Sequence, residues 1–216
     1  MLDGPRVAPA SGGPARQLVV ICHGLGADGH DLIDLAAQWA PALPDAAFVA
    51  PDGPARHDLA PPDYPHARQW FSMITREPGK LAEGVTEAAI PLGAFIDAEL
   101  ARLHLPADAY ALAGFSQGAM TVLHTGLRRN TPPRAILAYS GALLTPVPVP
   151  PPATEVLIVH GEADEVVPIQ SSMDAERRLR AAGVNVSAVW VPRLGHGIDP
   201  VGLSQGALTL QRVFAV

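Results

Sequence analysis

The chain has 216 residues, of which 48% are hydrophobic and 17% charged, and this composition is typical of a folded globular protein. Its length allows a substantial core, so we predict one domain over 1–216, in which 1–16 is a flexible lead-in. The formal net charge of −6 gives no electrostatic support for a nucleic-acid partner. The one cysteine, Cys22, cannot form an internal disulfide. No segment reads as a secretory signal or as an apolar membrane helix of roughly 18 residues, so we expect a soluble, cytoplasmic protein without stable membrane insertion.

Short apolar runs alternate with helical patterns along the chain, which is typical of βαβ units. Strands are predicted at 18–22, 47–50, 110–113, 135–139, 156–159 and 186–191. Helices are predicted at 32–39, 85–104, 119–129 and 170–182, and from Pro200 to the C-terminus. Pro91 predicts a kink or a late start in the helix at 85–104. The pattern therefore indicates an α/β fold with a mostly parallel sheet and helices on both faces.

Two proline-rich segments interrupt this alternation. Prolines and an absent period argue against regular structure at 55–80, and a connection this long is more often functional than idle. The segment 145–153 is expected to be a loop within the domain. Because so few residues separate the flanking strands at 139 and 156, a large helical lid has no room there.

The pentapeptide G-x-S-x-G occurs twice, as GFSQG at 114–118 and as GLSQG at 202–206. This pattern supports a catalytic serine where a strand turns sharply into a helix, because the turn lifts the hydroxyl above the sheet edge. Ser116 follows a predicted strand and opens a predicted helix. Ser204 lies within the last helix, which Asp199 is expected to cap and Pro200 to begin. Ser116 is therefore the predicted nucleophile.

A serine hydroxyl needs a nearby imidazole to accept its proton, and that imidazole needs a carboxylate to orient it. Of the three histidines after Ser116, His124 lies in the helix that leaves the serine. His160 ends a strand, ahead of most candidate acids. His196 lies between two glycines in a loop after the last strand, where the chain can approach the serine closely. We predict His196 as the base.

The carboxylate is expected in the loop that follows the strand at 156–159, at the same sheet edge as the serine. This loop offers Glu162, Asp164 and Glu165, which spacing alone does not separate. Asp199 is a further candidate, although its helix-capping position explains it without catalysis.

Four motifs in order, HGLGADG, GFSQGA, HGEADEVVP and LGHGI, resemble the phospholipase/carboxylesterase group of α/β hydrolases, which includes the acyl-protein thioesterases. The resemblance runs from about residue 18 to the C-terminus. It implies the α/β-hydrolase fold, with Asp164 as the acid beside Ser116 and His196. It also implies that the backbone N–H groups of Leu25 and Gln117 hold the oxyanion. Gln117 is indicated independently, since it opens the helix after the nucleophile.

Other residues are assigned to the substrate site with less support from the pattern. Trp70 matches a W-F pair that lines the site in this family, and a purely structural tryptophan is the alternative. Met73, Leu143 and Leu144 are candidates to line an apolar acyl groove with it. His23, from the H-G motif, is interpreted as a histidine held by nearby backbone groups, without direct chemistry.

Together these residues predict a serine carboxylesterase that hydrolyses short to medium acyl esters through an acyl-enzyme. The resemblance also admits a lysophospholipase or an acyl-protein thioesterase with the same triad. A non-catalytic binding protein on this fold usually lacks a triad member, and dienelactone-hydrolase-type chemistry typically has cysteine at the position of Ser116. No metal or cofactor is expected, because the sequence contains no HExxH, cysteine–histidine zinc spacing or phosphate loop. The oligomeric state stays open, with a homodimer as one alternative.

Overall fold

A seven-stranded sheet forms the centre of the computed structural model, which describes residues 2–215. Its strands lie in the order β1-β3-β2-β6-β7-β8-β9. Their bounds are β1 Arg6–Val7, β2 Gln17–Cys22, β3 Ala46–Val49, β6 Tyr110–Phe115, β7 Ala135–Tyr139, β8 Glu155–Gly161 and β9 Asn185–Val191. Only the pair β1–β3 is antiparallel; the other neighbours in this sheet are parallel. A separate antiparallel pair joins β4 (Ala55–Arg56) to β5 (Arg68–Gln69).

Within residues 2–215, six helices cover the two faces of the sheet. They are α1 Gly29–Leu32, α2 Leu35–Trp39, α3 Pro78–Arg102, α4 Gln117–Gly126, α5 Ile169–Ala181 and α6 Pro200–Phe214. Buried residues of α3, α4 and α5 pack in one core, and those of α1, α2 and α6 pack in the other. Within the described residues, no helix has the length and apolarity needed to cross a membrane.

The apolar side chains of strand β2 belong to both hydrophobic cores. Successive side chains of a strand point to opposite faces, so Leu18 and Val20 lie in the core beneath α3 and α4, whereas Val19 and Ile21 lie in the core beneath α2 and α6. All four side chains are fully buried. A central parallel strand therefore reads as an unbroken hydrophobic run, as the sequence of β2 does.

The structure corrects three predicted elements. The helix predicted at 32–39 is two short helices, α1 and α2, because the carbonyls of Ile33 and Asp34 between them accept hydrogen bonds from three residues ahead, which interrupts the α-helical pattern. The helix predicted at 85–104 begins at Pro78, since proline is well tolerated in the first turn, and it continues through Pro91 without a late start. The aperiodic segment 55–80 contains β4, β5 and the first residues of α3.

The predicted flexible lead-in also contains ordered structure. Arg6 and Val7 form β1 on the edge of the sheet, opposite Val49 and Phe48. The backbone N–H of Ala50 donates to Pro5 at 3.0 Å, which extends this attachment. The structure thus corrects the expectation of flexibility for this part of 1–16, because the pairing uses backbone groups that side-chain patterns do not reveal.

The strand order creates a switch point between β2 and β6. From β2 the chain moves outward to β3, whereas β6, β7, β8 and β9 follow one another on the opposite side. In open parallel sheets, a crevice forms at the carboxyl ends of the strands where the order reverses. The loops after β2, β6, β8 and β9 therefore meet at one edge of the sheet.

Candidate active site

Ser116 lies in the sharp turn between β6 and α4. Its φ of +55° and ψ of −116° form a conformation that side-chain-bearing residues rarely adopt. Glycine is required on both sides of it: a Cβ on Gly114 would lie 2.5 Å from the backbone of Gly118, and a Cβ on Gly118 would lie 2.0 Å from the Cys22 carbonyl oxygen. The turn of GFSQG therefore packs backbone against backbone and places the Ser116 hydroxyl at the switch point.

His196 connects Ser116 to Asp164. Its Nε2 is 3.0 Å from the Ser116 Oγ, and its Nδ1 is 2.7 Å from Asp164 Oδ2. The Phe115 ring packs against the imidazole, with 4.7 Å between ring centroids. The structure thus brings together the three residues that the sequence selected from different loops. The sequence does not predict this contact between Phe115 and His196. It distinguishes the two pentapeptides by the elements around them, and Phe115 has no part in that distinction.

Asp164 is held by its own turn. Its Oδ1 accepts hydrogen bonds from the backbone N–H groups of Val166 and Val167, both at 2.9 Å, and its side chain is completely buried. Burial by itself raises the pKa of Asp164, but the hydrogen bonds from His196 and from Val167 and Val166 outweigh it and lower that pKa below its ordinary value of 3.8. The carboxylate is therefore ionised at neutral pH.

The other candidate acids lie elsewhere. Glu162 and Glu165 are exposed residues. Asp199 Oδ1 accepts the backbone N–H of Gly202 at 2.8 Å and so caps α6, as its position before Pro200 predicts. Of these four candidate acids, Asp164 is the one whose carboxylate is hydrogen-bonded to His196.

The two remaining histidines after Ser116 are buried and differ in their surroundings. The Nδ1 of His124 is 3.0 Å from the Thr145 hydroxyl, and burial lowers the pKa of His124 to about 4. His160 is fully buried, and its Nε2 lies 3.1 Å from Asp164 Oδ2. Sequence reasoning missed this contact; the four-residue spacing of His160 and Asp164 within HGEADEVVP is the signal that could have found it.

Two backbone N–H groups near Ser116, one in the loop after β2 and one at the start of α4, have no protein acceptor among the described residues. Within residues 2–215, neither the N–H of Leu25 nor that of Gln117 donates to a protein atom. Leu25 follows β2, which is the direct neighbour of β6 in the sheet, and Gln117 begins α4. Gln117 therefore lies at the positive end of the α4 dipole, close to Ser116.

Trp70 lies behind this pair of donors. Its indole Nε1–H donates to the His23 carbonyl at 2.9 Å, and its backbone N–H donates to Gln117 Oε1 at 2.8 Å. Gln117 Nε2 in turn donates to the Phe71 carbonyl at 2.7 Å. The Gln117 side chain therefore links the 70–71 segment to the turn that carries Ser116, and the Trp70 indole links this segment to the loop that carries Leu25.

His23 has the backbone partners that the sequence predicted. Its Nδ1 is 2.7 Å from the Gly24 carbonyl, and its Nε2 accepts the N–H of Gly53 at 2.8 Å. Since a carbonyl only accepts and an N–H only donates, the proton of a neutral imidazole lies on Nδ1. Burial lowers the pKa of His23, which favours this neutral form. The interpretation of His23 as a histidine held by nearby backbone groups is confirmed.

A cavity of about 380 Å³ opens beside Ser116 and His196. Its apolar wall includes Met73, Leu81, Phe115, Met120, Leu144 and Val166, and Arg76 contributes a charged side chain. Met73 and Leu144 therefore lie where the sequence predicted. Trp70 and Leu143 do not line this cavity: Trp70 is 2% exposed because it supports the loop at Leu25, and Leu143 is 5% exposed because it packs in the core beneath α3 to α5.

Ser204 lies within α6 and is exposed, as the sequence predicts for the second pentapeptide. Its glycines serve helix packing. A Cβ on Gly206 would lie 2.4 Å from the Tyr139 hydroxyl, and one on Gly202 would lie 2.9 Å from Val159. The GLSQG glycines therefore let α6 approach the sheet.

The mostly parallel sheet, the helices on both faces and the strand–turn–helix serine at the switch point define an α/β hydrolase. A model of the phospholipase/carboxylesterase family matches residues 3–211. The chain belongs to this family, and it is a carboxylic ester hydrolase.

Individual relatives agree with this assignment. Esterase YpfH from Escherichia coli is 30% identical over 197 residues, which cover 86% of this chain and 78% of that protein. Acyl-protein thioesterase 1 from Neurospora crassa is 28% identical over 199 residues, or 82% of this chain and 79% of that protein. Among solved structures, the crystal structure of esterase PE8 has a TM-score of 0.88 and 34% identity, covering 98% of this chain and 99% of that chain.

Proposed function

We propose that this chain hydrolyses short to medium acyl esters through an acyl-enzyme on Ser116, with His196 as general base and Asp164 as its orienting carboxylate. The observation that carries the proposal is the continuous hydrogen-bonded chain from Asp164 Oδ2 to His196 at 2.7 Å and from His196 to Ser116 Oγ at 3.0 Å. Nucleophile, base and orienting group within hydrogen-bond reach are the arrangement that activates a serine.

The reaction has two halves. Ser116 Oγ attacks the ester carbonyl carbon while His196 Nε2 accepts its proton, and the N–H groups of Leu25 and Gln117 stabilise the oxyanion. Collapse expels the alcohol, which takes the proton from His196. Water then attacks the acyl-enzyme, gives its proton to His196, and releases the carboxylic acid as Ser116 recovers its hydrogen. Small-molecule esters are the proposed substrates, and no step needs a metal or cofactor.

The two pentapeptides supply a matched test. Ser116→Ala should lower kcat on p-nitrophenyl butyrate by about 10³-fold or more, because the nucleophile is lost. Ser204→Ala, which changes the same residue type in the same five-residue pattern, should leave kcat unchanged. Peptide mass spectrometry after treatment with a fluorophosphonate should locate the adduct on Ser116. An adduct on Ser204, or full activity in Ser116→Ala, would contradict the proposal.

The substrate class is tested by comparing kcat/KM across p-nitrophenyl esters of increasing acyl length, an acyl thioester and a lysophospholipid. The apolar cavity of about 380 Å³ supports acyl esters of short to medium length, since it is near the lower end of the range of roughly 300–1,000 Å³ for ligand pockets. A much higher kcat/KM for the lysophospholipid or the thioester would instead favour a lipid-directed or thioesterase function with the same residues.

A further inference from the structure

His160 is a buried histidine whose contacts converge on Asp164. It lies in β8 and is fully buried. Its Nε2 lies 2.8 Å from the Val167 carbonyl and 3.1 Å from Asp164 Oδ2, and its Nδ1 lies 2.7 Å from the Ser172 hydroxyl. Both ring nitrogens therefore have polar partners within the protein. One of these nitrogens, Nε2, lies beside the Asp164 carboxylate, which also contacts His196.

The partners of His160 determine where its proton lies. A carbonyl and an ionised carboxylate only accept hydrogen bonds, so Nε2 must be the donor. The single hydroxyl proton of Ser172 lies between two acceptors, His160 Nδ1 at 2.7 Å and the Gly141 carbonyl at 2.9 Å. Burial lowers the pKa of His160, which favours the neutral ring with its proton on Nε2.

A neutral His160 also suits the proposed reaction. When His196 accepts the serine proton, one positive charge forms beside Asp164. A second imidazolium beside the same carboxylate would repel the positive charge that forms on His196. A neutral donor at His160 holds the carboxylate without this repulsion.

We propose that His160 is a positioning residue for the ester hydrolysis: its Nε2–H, shared between the Val167 carbonyl at 2.8 Å and Asp164 Oδ2 at 3.1 Å, keeps Oδ2 in the orientation that receives Nδ1–H of His196. Asp164 Oδ1 is already fixed by two backbone N–H groups. Oδ2 thus lies between two imidazoles, one that takes part in proton transfer and one that does not. This role rests on the proposed function of Ser116, Asp164 and His196.

Two amide substitutions separate positioning from packing. In His160→Gln the side-chain amide nitrogen lies near the position of Nε2 and can still donate to Asp164. In His160→Asn it lies near the position of Nδ1, so it reaches Ser172 but not Asp164. Both variants remain polar and smaller than histidine. His124→Asn, at a second buried histidine that does not contact the site residues, is the control for lost stability.

We expect His160→Asn to lower kcat on p-nitrophenyl butyrate by about tenfold with little change in KM, which is a part of the roughly 10²–10⁴-fold that a well-placed general base contributes. His160→Gln should recover most of this loss, and His124→Asn should leave kcat unchanged even if its melting temperature falls. Equal kcat values for His160→Gln and His160→Asn would overturn the positioning role. Ser116→Ala is measured alongside: if it stays active, the proposed function itself fails, whereas an inactive Ser116→Ala with equal His160 variants rejects only the role of His160.

Discussion

The loop that carries Leu25 is held in place by a tryptophan that does not line the cavity. Trp70 donates its indole N–H to the His23 carbonyl at 2.9 Å, two residues before Leu25. Its backbone N–H is fixed by the Gln117 side chain at 2.8 Å. Gln117 follows the proposed nucleophile, and Leu25 lies in the loop that the Trp70 indole holds. Trp70 therefore connects the two residues whose N–H groups are the proposed oxyanion donors.

Trp70→Phe should therefore affect turnover more than binding. The change removes the bond to the His23 carbonyl while it keeps an aromatic ring, so the Leu25 N–H shifts relative to the oxyanion. Loss of a whole oxyanion donor costs about 10²–10³ in kcat, and a displaced donor should cost about tenfold. Steady-state kinetics on p-nitrophenyl butyrate should show lower kcat at nearly constant KM.

Trp39→Phe provides the matched control, because the Trp39 indole also donates to a backbone carbonyl, that of Leu203 at 3.1 Å, and is fully buried. It lies in the core beneath α2 and α6. Both variants should lose some thermal stability, but only Trp70→Phe should lose kcat. An equal kcat in the two variants would show that Trp70 does not position the loop.

For single residues, sequence patterns identify those whose role depends on the elements next to them in the chain. Ser116 was placed by its strand–turn–helix setting and Asp199 by its position before Pro200, and both settings are confirmed. The contact between Trp70 and Gln117 joins residues 47 positions apart. Nothing in either local pattern encodes that contact, so the sequence could not decide whether Trp70 lines the site or supports it.

The attachment of the N-terminal segment to α3 is an ion-pair cluster. Glu99 of α3 is 3% exposed and accepts hydrogen bonds from Arg6 at 2.7 Å and from Arg102 at 2.7 Å. Burial by itself raises the pKa of Glu99, but the two arginines hold it below its ordinary value of 4.5. The cluster thus joins β1 to the long helix that covers the sheet.

Arg6→Ala should lower the free energy of unfolding by about 1–2 kcal/mol at pH 7, between the values for exposed and buried ion pairs, because Arg102 remains and Arg6 is partly exposed to water. The folded-state pKa of Glu99 is lowered, so its ionic contribution is present above about pH 4.5 and is lost as pH falls through the folded pKa. Urea denaturation should therefore show a smaller difference between Arg6→Ala and the unsubstituted protein at about pH 3 than at pH 7.

Arg16→Ala is the control for this change, since Arg16 is 75% exposed in its side chain and pairs with Asp45 only at 3.5 Å. Its effect should stay within about 0.5 kcal/mol at both pH values. A pH-independent loss in Arg6→Ala would mean that packing, and not the ion pair with Glu99, holds the segment.

The helices and strands of the structure show which sequence signals predict an element and which do not. All six predicted strands are present, because buried parallel strands are continuous apolar runs. The prolines of 55–80 argue against regular structure in that segment, yet Pro78 begins α3, where its missing N–H costs nothing. Strand β1 has only two residues and pairs through its backbone, so no side-chain period could reveal it.

The cavity is a property of the whole molecule, because its wall comes from loops and helices far apart in the chain. Met73 and Leu81 come from the segment before and within α3, whereas Leu144 and Val166 follow β7 and β8. The sequence predicted Met73 and Leu144 but placed Leu143 beside them. Neighbouring residues in a loop point in different directions, and only the folded chain shows that Leu143 turns into the core.

The size of this cavity should set the acyl length that the enzyme accepts. Leu144→Trp adds volume to the wall and should shorten the accessible groove. We expect kcat/KM for p-nitrophenyl octanoate to fall by about tenfold or more, since a few methylenes of apolar contact at about 0.8 kcal/mol each are lost, while the value for the acetate changes little. Leu208→Trp, at a 52% exposed leucine of α6 outside the cavity wall, should leave both values unchanged. Equal losses for acetate and octanoate in Leu144→Trp would instead indicate a disturbed Ser116 or His196, and unchanged values for both would place the acyl chain outside this cavity.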